Sequence, residues 1–99
     1  DYVILYSSGT TGVPKGIVLS HRGRLANSWM LAVEMKAGPD AVVFSGTAFY
    51  SNTTWTLLNL AFFVGGTAVP MRRFEARQAL RLLKENRVSH TILVPAILR

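Results

Sequence analysis

Cysteine is absent from this 99-residue sequence, and histidine occurs only twice. Without cysteine the chain forms neither disulfides nor thiolate metal sites. His21 and His90 are too isolated in the sequence to suggest zinc, so we predict no metal-binding residues. Long apolar runs are also missing, because the longest nearly uncharged stretch, residues 55–64, is too short to span a bilayer. Within these residues the sequence therefore predicts neither a disulfide framework nor a membrane span.

Acidic residues are few as well, five against eleven lysines and arginines, which gives a formal net charge of +6. Six of the eleven cations lie within sixteen residues: Arg72, Arg73, Arg77, Arg81, Lys84 and Arg87. A helix over residues 76–86 would carry cations on one side. Its other side would be apolar, with Ala76, Ala79, Leu80 and Leu83. No aromatic residues are interleaved for base stacking, so we predict a solvated helix face and no nucleic-acid partner.

The most informative segment is a polar loop between two apolar runs, residues 6–16, with the sequence YSSGTTGVPKG. It concentrates hydroxyls, flexible glycines and one lysine: Ser7, Ser8, Gly9, Thr10, Thr11, Gly12 and Lys15. Glycine lets the backbone approach a ligand closely, and successive backbone N–H groups in such a turn form an anion-binding concavity. The loop is longer than a hairpin requires. The composition therefore predicts a phosphate-binding loop rather than an ordinary turn.

The spacing of this loop excludes the Walker phosphate loop, G-x-x-x-x-G-K-[ST]. Counting from Gly9, the second glycine position is occupied by Pro14, and Lys15 is followed by Gly16 rather than by serine or threonine. A β-branched run, residues 17–19, comes next, where the Walker loop would begin a helix. The loop is therefore predicted to join two strands.

The remaining chain alternates strand-like and helix-like segments. Strands are predicted at residues 2–6, 17–19, 41–44, 67–70 and 90–94, and helices after Ser20, at 53–64, at 76–86 and from Pro95. We expect Ser51 or Asn52 to cap the second helix and Gly65 to end it. Alternation of this kind predicts an α/β fold with a layered, largely parallel sheet flanked by helices, in a single domain. We also expect the polar loop and the loop of residues 45–52 to open at one edge of that sheet.

Apolar spacing gives expectations about packing. The continuous apolar run at residues 2–6 predicts a buried strand. The helix after Ser20 carries apolar residues at helical spacing, and we expect it to pack through Leu25, Trp29, Met30, Ala32, Val33 and Met35. The uncharged helix 53–64 is expected to be buried on every side. An apolar fraction of 49% suggests that further apolar surface contacts parts of a longer chain, from which these residues are excised.

The segment YSSGTTGVPKG, followed by IVLSH, resembles the signature loop of the AMP-forming adenylating enzymes. The resemblance continues through Phe49-Tyr50, Gly65-Gly66, Phe74-Glu75 and the closing VSHTILVPAIL, so it covers nearly the whole chain. Members activate a carboxylic acid with ATP as an acyl-adenylate and release pyrophosphate. The resemblance implies a subdomain of a larger cytoplasmic enzyme that uses ATP, Mg²⁺ bound elsewhere, and CoA. The resemblance also implies that the following residues contact the phosphates of ATP: Ser7, Ser8, Gly9, Thr10, Thr11, Gly12 and Lys15. Of these, Thr10, Thr11 and Lys15 are the implied catalytic residues.

The acid substrate is expected beside the loop of residues 45–52. Tyr50 stands where many acyl- and aryl-CoA ligases have histidine after an aromatic residue. With Phe49, Asn52 and Trp55 it forms the predicted acid pocket. The apolar helix that follows favours a hydrophobic acid.

Three functions remain open at this stage. An acyl- or aryl-CoA ligase is preferred, a peptide-synthetase adenylation domain is the close alternative, and a non-catalytic nucleotide-binding or scaffold module is the alternative of another class. The resemblance also implies that adenine contacts, the metal ligand and a C-terminal lysine lie elsewhere, so we expect the isolated 99 residues to be inactive.

Overall fold

The structure, a computed structural model, describes residues 1–10 and 12–95. Its strands are β1 (Val3–Ser7), β2 (Lys15–Leu19), β3 (Val42–Ser45), β4 (Thr67–Pro70) and β5 (His90–Thr91). Its helices are α1 (His21–Glu34), α2 (Asn52–Val64) and α3 (Ala76–Glu85). The helix expected from Pro95 falls mainly outside the described residues. None of the helices in the described ranges is long and apolar enough to cross a membrane.

A three-stranded parallel sheet in the order β4-β3-β5 forms the core. Parallel neighbours need long crossover connections, which α2 supplies between β3 and β4 and α3 supplies between β4 and β5. Successive side chains of β3 point to opposite faces: Val43 packs with α2, and Phe44 packs with Met71 and α3. Both are fully buried, as expected for a strand covered on each side. The predicted α/β fold with a parallel sheet is confirmed.

Helix α2 has the predicted ends. The Ser51 side chain accepts a hydrogen bond from the backbone N–H of Thr53 at 3.2 Å, and Gly65 ends the helix with φ of 71°. Leu57, Leu60 and Ala61 fill the core. The expectation of burial on every side is wrong, because Phe62 is 65% exposed and Phe63 is also exposed. One face of α2 packs on the sheet and another on α1, which leaves these phenylalanines outside both contacts.

Helix α1 begins as predicted at Ser20, whose hydroxyl accepts a hydrogen bond from the backbone N–H of Gly23 at 3.0 Å. Its predicted packing face is largely wrong: Trp29 is 64% exposed, and Leu25, Met30 and Val33 are also exposed. The side facing α2 contains Ala32 and Met35, as predicted, together with three residues that were not predicted to pack: Arg24, Ser28 and Leu31.

The face of α1 is displaced because its first turns contact polar groups. Arg24 forms hydrogen bonds with side chains of α2, and Ser28 bonds back to the Arg24 carbonyl at 2.9 Å. Only towards the end of the helix do apolar side chains, such as Met35, reach the core. Hydrogen bonding therefore determines which face of α1 is buried near its N-terminus.

Strands β1 and β2 are joined by the polar loop, as predicted, and they form an antiparallel hairpin that is separate from the parallel sheet. The expectation that β1 is buried is wrong, since Ile4 and Tyr6 are exposed and only Leu5 is buried in that strand. A two-stranded ribbon beside the helices has one face to pack, whereas a central strand has two. The polar loop and the loop after β3 consequently do not share one sheet, contrary to expectation.

Aromatic and polar contacts attach the hairpin to α2. The Tyr2 hydroxyl donates a hydrogen bond to Asn59 Oδ1 at 3.0 Å. The Tyr2 ring meets His21 edge-on at a centroid distance of 5.2 Å and Trp55 at 6.3 Å. Edge-to-face pairs at these distances are mutually attractive, so Tyr2 fixes the start of β1 to both helices.

Helix α3 is capped by Glu75, whose carboxylate accepts hydrogen bonds from the backbone N–H groups of Arg77 and Gln78. Ala79 is buried and Leu83 packs beside it, as predicted. The prediction is wrong for Ala76 and for Leu80, which is 69% exposed, because α3 turns Leu82 towards the core in their place. The cations of residues 72–87 are all exposed.

A buried hydroxyl cluster fixes the loop that leaves β3. The Thr54 side chain is 0% exposed, and its Oγ1 lies 3.0 Å from Ser45 Oγ and 2.7 Å from Thr47 Oγ1. The same oxygen lies 2.8 Å from the Thr47 carbonyl and 3.0 Å from the Ala48 carbonyl. This cluster ties residues 45–48 to the first turn of α2.

Replacement of Thr54 by valine keeps the shape of the side chain and removes the hydroxyl. We expect Thr54→Val to lower the free energy of unfolding by about 1–3 kcal/mol, since buried polar groups lose their partner. Urea unfolding of the complete protein measures this. Thr53→Val, the matched control on the same helix turn, should have a much smaller effect. Equal losses in both variants would contradict the role of the cluster.

Candidate functional site

The polar loop closes the end of the hairpin. Ser7 and Lys15 are directly opposed in the β1–β2 register, and residues 8–14 connect them. Gly9 and Gly12 have φ of 56° and 78°, in the left-handed region that glycine adopts without strain. The two glycines therefore let the chain reverse at this point. Thr11, one of the predicted phosphate contacts, lies outside the described residues.

Strand alternation places the lysine and the first serine on the inner face of the hairpin. Directly opposed residues of an antiparallel pair share a face, and every second residue joins them. Ser7 and Lys15 therefore lie on the same face as Leu5 and its partner Ile17. Leu5 is the buried side chain of β1, so this is the face that packs against the rest of the molecule. Lys15 stands at its exposed end.

A cleft of about 320 Å³ separates this face from the start of α2. The hairpin contributes Leu5, Tyr6, Ser7, Ile17 and Leu19 to its lining. The opposite wall consists of Tyr50, Ser51 and Asn52. The structure thus brings together residues from both predicted loops, although they belong to different sheets.

The second loop follows β3, at the carboxyl end of a parallel strand, where α/β proteins commonly bind ligands. Tyr50 is largely exposed, and the backbone N–H of Ser51 donates to the Ala48 carbonyl at 2.8 Å. Phe49 is exposed too, but it does not line the cleft. Trp55 lies one helical turn further on and contacts Tyr2 instead of the cleft. Of the four predicted pocket residues, the structure places Tyr50 and Asn52 in one cleft with Ser7.

Sequence reasoning missed Arg24. Its side chain is 7% exposed, with Nη1 donating to Thr56 Oγ1 at 3.0 Å and Nη2 donating to Asn52 Oδ1. Nε is buried without a hydrogen-bond partner among the residues the structure describes. No local sequence signal distinguishes this arginine from the exposed Arg22, because the buried face of α1 depends on its packing against α2.

The electrostatics of the site favour an anion. Lys15 on the hairpin and Arg24, which contacts Asn52, are positively charged, although neither side chain lines the cleft itself. No aspartate or glutamate lines the cleft among residues 1–10 and 12–95. The same ranges contain no group of three or more side chains suited to a metal ion. The Ser7 hydroxyl on one wall, with Lys15 opposite it in the hairpin register, and amide and aromatic groups on the other wall suit a ligand with an anionic and an organic part.

Comparisons with known proteins identify the family. A sequence profile described as "AMP-binding enzyme" matches residues 2–99. A fatty acid–[acyl-carrier-protein] ligase of Streptomyces coeruleorubidus is 37% identical over 101 residues, which cover 96% of this chain and 19% of that protein. The 4-coumarate–CoA ligase 1 of Oryza sativa subsp. japonica is 36% identical over 105 residues, covering 98% of this chain and 18% of that protein.

A solved structure shows the same fold. The crystal structure of ATP-bound MatB from Rhodopseudomonas palustris matches with a TM-score of 0.81 and 30% identity, over 95% of this chain and 18% of that chain. The present chain thus spans about a fifth of the length of the curated relatives it matches. Since the family profile extends over nearly every residue, this chain belongs to the AMP-binding enzyme family.

Proposed function

We propose that the complete protein activates a carboxylic acid with ATP, forming an acyl-adenylate and pyrophosphate, and then transfers the acyl group to CoA. The 99 residues form one α/β subdomain of its AMP-binding region in this proposal, and the protein is cytoplasmic. The observation that supports it best is the shared cleft, in which Ser7 of the polar loop faces Tyr50 and Asn52. An adenylating site needs this juxtaposition, because the phosphate and the acid must react with each other.

The polar loop forms the phosphate side. A carboxylate oxygen attacks the α-phosphorus of ATP, a new oxygen–phosphorus bond forms, and the bond to the departing pyrophosphate breaks. Negative charge on both phosphate groups must be stabilised while this happens. Lys15 supplies positive charge, and backbone N–H groups at Gly9 and Gly12, with the hydroxyls of Ser7, Ser8, Thr10 and Thr11, supply hydrogen bonds. Lys15, Thr10 and Thr11 are the proposed catalytic groups, since they bind the phosphates that change charge.

The acid side lies across the cleft. Apolar side chains of the hairpin, Leu5, Ile17 and Leu19, line it together with Tyr50. This lining suits a hydrophobic or aromatic acid. Phe49 and Trp55 complete the proposed pocket from the loop and from the next helical turn.

Magnesium is proposed to bind through residues outside this part of the protein. No acidic residue occurs in residues 6–16, and the described ranges contain no metal-binding cluster. ATP-dependent enzymes usually hold Mg²⁺ through one or two carboxylates together with the phosphates. In this proposal those carboxylates belong to other parts of the complete protein.

An exposed apolar surface on α1 and α2 is the proposed contact with the remainder of the same protein. Leu25 and Trp29 lie beside Phe63 on this surface and are exposed although large and apolar. Contiguous apolar patches of this kind are typical of interfaces.

A CoA ligase is preferred over a peptide-synthetase adenylation domain because the lining of the cleft is largely apolar. An amino acid substrate requires an acidic partner for its ammonium group, and no carboxylate lines the cleft in the described part of the chain. The similar proteins include both a carrier-protein ligase and a CoA ligase. An experiment must therefore identify the thiol that accepts the acyl group. A non-catalytic nucleotide-binding or scaffold module would bind ATP without releasing pyrophosphate.

Removal of the Lys15 charge tests the phosphate side. We expect Lys15→Met in the complete protein to slow acyl-adenylate formation about 10²- to 10³-fold, as the loss of one preorganised charged donor does elsewhere. Its melting temperature should not change, because Lys15 is exposed. Single-turnover adenylate formation measures the rate, and Lys84→Met is the matched control on α3. Normal single-turnover rates in Lys15→Met would exclude the proposed role.

Substitution of Tyr50 tests the acid side. A phenol is uncharged near neutral pH, whereas an imidazole gains a proton below about pH 6.5. We expect Tyr50→His to lower the KM for the acid as the pH falls from 8 to 5.5, since the imidazolium attracts the carboxylate. The KM for ATP should stay within about twofold. Tyr50→Phe, which removes the hydroxyl without adding a charge, should lack this pH dependence. An effect confined to the KM for ATP would contradict the placement of Tyr50.

A further inference from the structure

We propose that Arg24 is a positioning residue that orients the Asn52 amide so that its Nδ2–H group donates to the carboxylate substrate. The inference rests on the proposed function, because it assigns a role at the acid side of that site. It concerns a side chain of α1, which belongs neither to the polar loop nor to the loop of residues 45–52. Three features of the structure lead to it.

The geometry of the contact is the first feature. Asn52 and Thr56 are four residues apart on α2, so their side chains lie on one face of the helix. Arg24 donates to both, Nη1 to Thr56 Oγ1 and Nη2 to Asn52 Oδ1. A guanidinium is a rigid planar fork, and two bonds from it fix direction as well as distance. One side chain of α1 thereby holds the first two turns of α2.

The chemistry of the amide is the second feature. Arginine has donors only, so the Asn52 atom that it contacts must be the oxygen. The amide nitrogen, with its two N–H donors, is then the group left for other partners. Asn52 lines the cleft opposite Ser7 and beside Tyr50. With its oxygen held by Arg24, Asn52 therefore presents a donor to the cleft, and a carboxylate is a pure acceptor.

The charge of Arg24 is the third feature. The side chain is 7% exposed. No carboxylate pairs with it in residues 1–10 and 12–95, and the ion pair found in those ranges joins Arg81 and Glu85 on α3. A buried charge without a counter-ion lowers the free energy of unfolding, because the charge loses its hydration. An amide or an apolar side chain would join the two helices with a smaller desolvation penalty. An anion bound in the adjacent cleft offsets this cost. The positive charge also polarises the Asn52 amide and strengthens its N–H groups as donors.

Steady-state kinetics of the complete protein test the proposal. We expect Arg24→Met to raise the KM for the acid about tenfold and to leave the KM for ATP within about twofold. Arg24→Lys should recover part of the affinity, because it keeps the charge and one donor but lacks the fork. Arg77→Met, which removes an exposed guanidinium from α3, is the matched control and should behave like the unmodified protein. If Arg24→Met raises both KM values equally or neither, the inference is wrong.

A second pair of variants keeps the test valid if Arg24→Met fails to fold. Asn52→Asp retains the contact with Arg24 but replaces the amide donor by an anion, and we expect it to raise the KM for the acid more than tenfold. An unchanged KM for the acid in Asn52→Asp would overturn the inference. Where Arg24→Met folds, the double variant with Asn52→Ala should have the same KM for the acid as Asn52→Ala alone. Additive effects would contradict action through Asn52.

Failure of the inference is distinct from failure of the proposed function. If the unmodified protein forms no adenylate with any acid, the function fails and the inference fails with it. If the unmodified protein forms an adenylate but the Arg24 and Asn52 variants keep a normal KM for the acid, only the inference is wrong.

Discussion

The packing of α2 is the constraint on which the rest of the structure depends. One face of the helix fills the core against β3 and β4, and its start is tied to the β3 loop by the buried Thr54 hydroxyl. Another face receives Arg24 from α1, and Asn59 accepts a hydrogen bond from Tyr2 at the start of the hairpin. The sheet, the first helix and the hairpin are thus positioned relative to one another through a single helix.

This arrangement explains how two loops far apart in the sequence form one cleft. The polar loop belongs to a hairpin outside the parallel sheet, while the loop of residues 45–52 extends from β3, the central strand of that sheet. Neither sheet edge alone would bring Ser7 and Asn52 together. Contacts of Tyr2 with the helices hold the hairpin where its inner face opposes Tyr50 and Asn52. The chemical division of the proposed site, phosphate on one wall and acid on the other, follows from this docking.

Local signals in the sequence predicted much of the fold. Helix ends depend on contacts with nearby backbone groups, which the local sequence specifies. The ends predicted from Ser20, Ser51 and Gly65 therefore agree with the structure. The parallel sheet followed from the alternation of strands and helices. The strand-like run after the polar loop predicted that the loop joins two strands, which is confirmed. The composition of the loop predicted a phosphate site, which remains a proposal.

Predictions of burial were less successful, because burial depends on partners distant in the sequence. Trp29 has the spacing of a core residue, yet α2 engages the neighbouring face of α1 through Arg24. Leu80 and Phe62 are exposed for similar reasons, since their helices each present another side to the sheet. Arg24 could not be found at all, because its importance arises from Asn52 and Thr56, about thirty residues away in the chain. Hydrogen-bond geometry between helices is not encoded in apolar periodicity.

The most direct test of this account is acid-dependent exchange of labelled pyrophosphate into ATP by the complete protein, with fatty, aromatic and amino acids compared. The account predicts exchange that requires an acid and is fastest with a hydrophobic or aromatic one, because Leu5, Ile17 and Leu19 line the cleft. ATP binding without exchange in the presence of any acid would contradict adenylation. That result would favour a non-catalytic nucleotide-binding module.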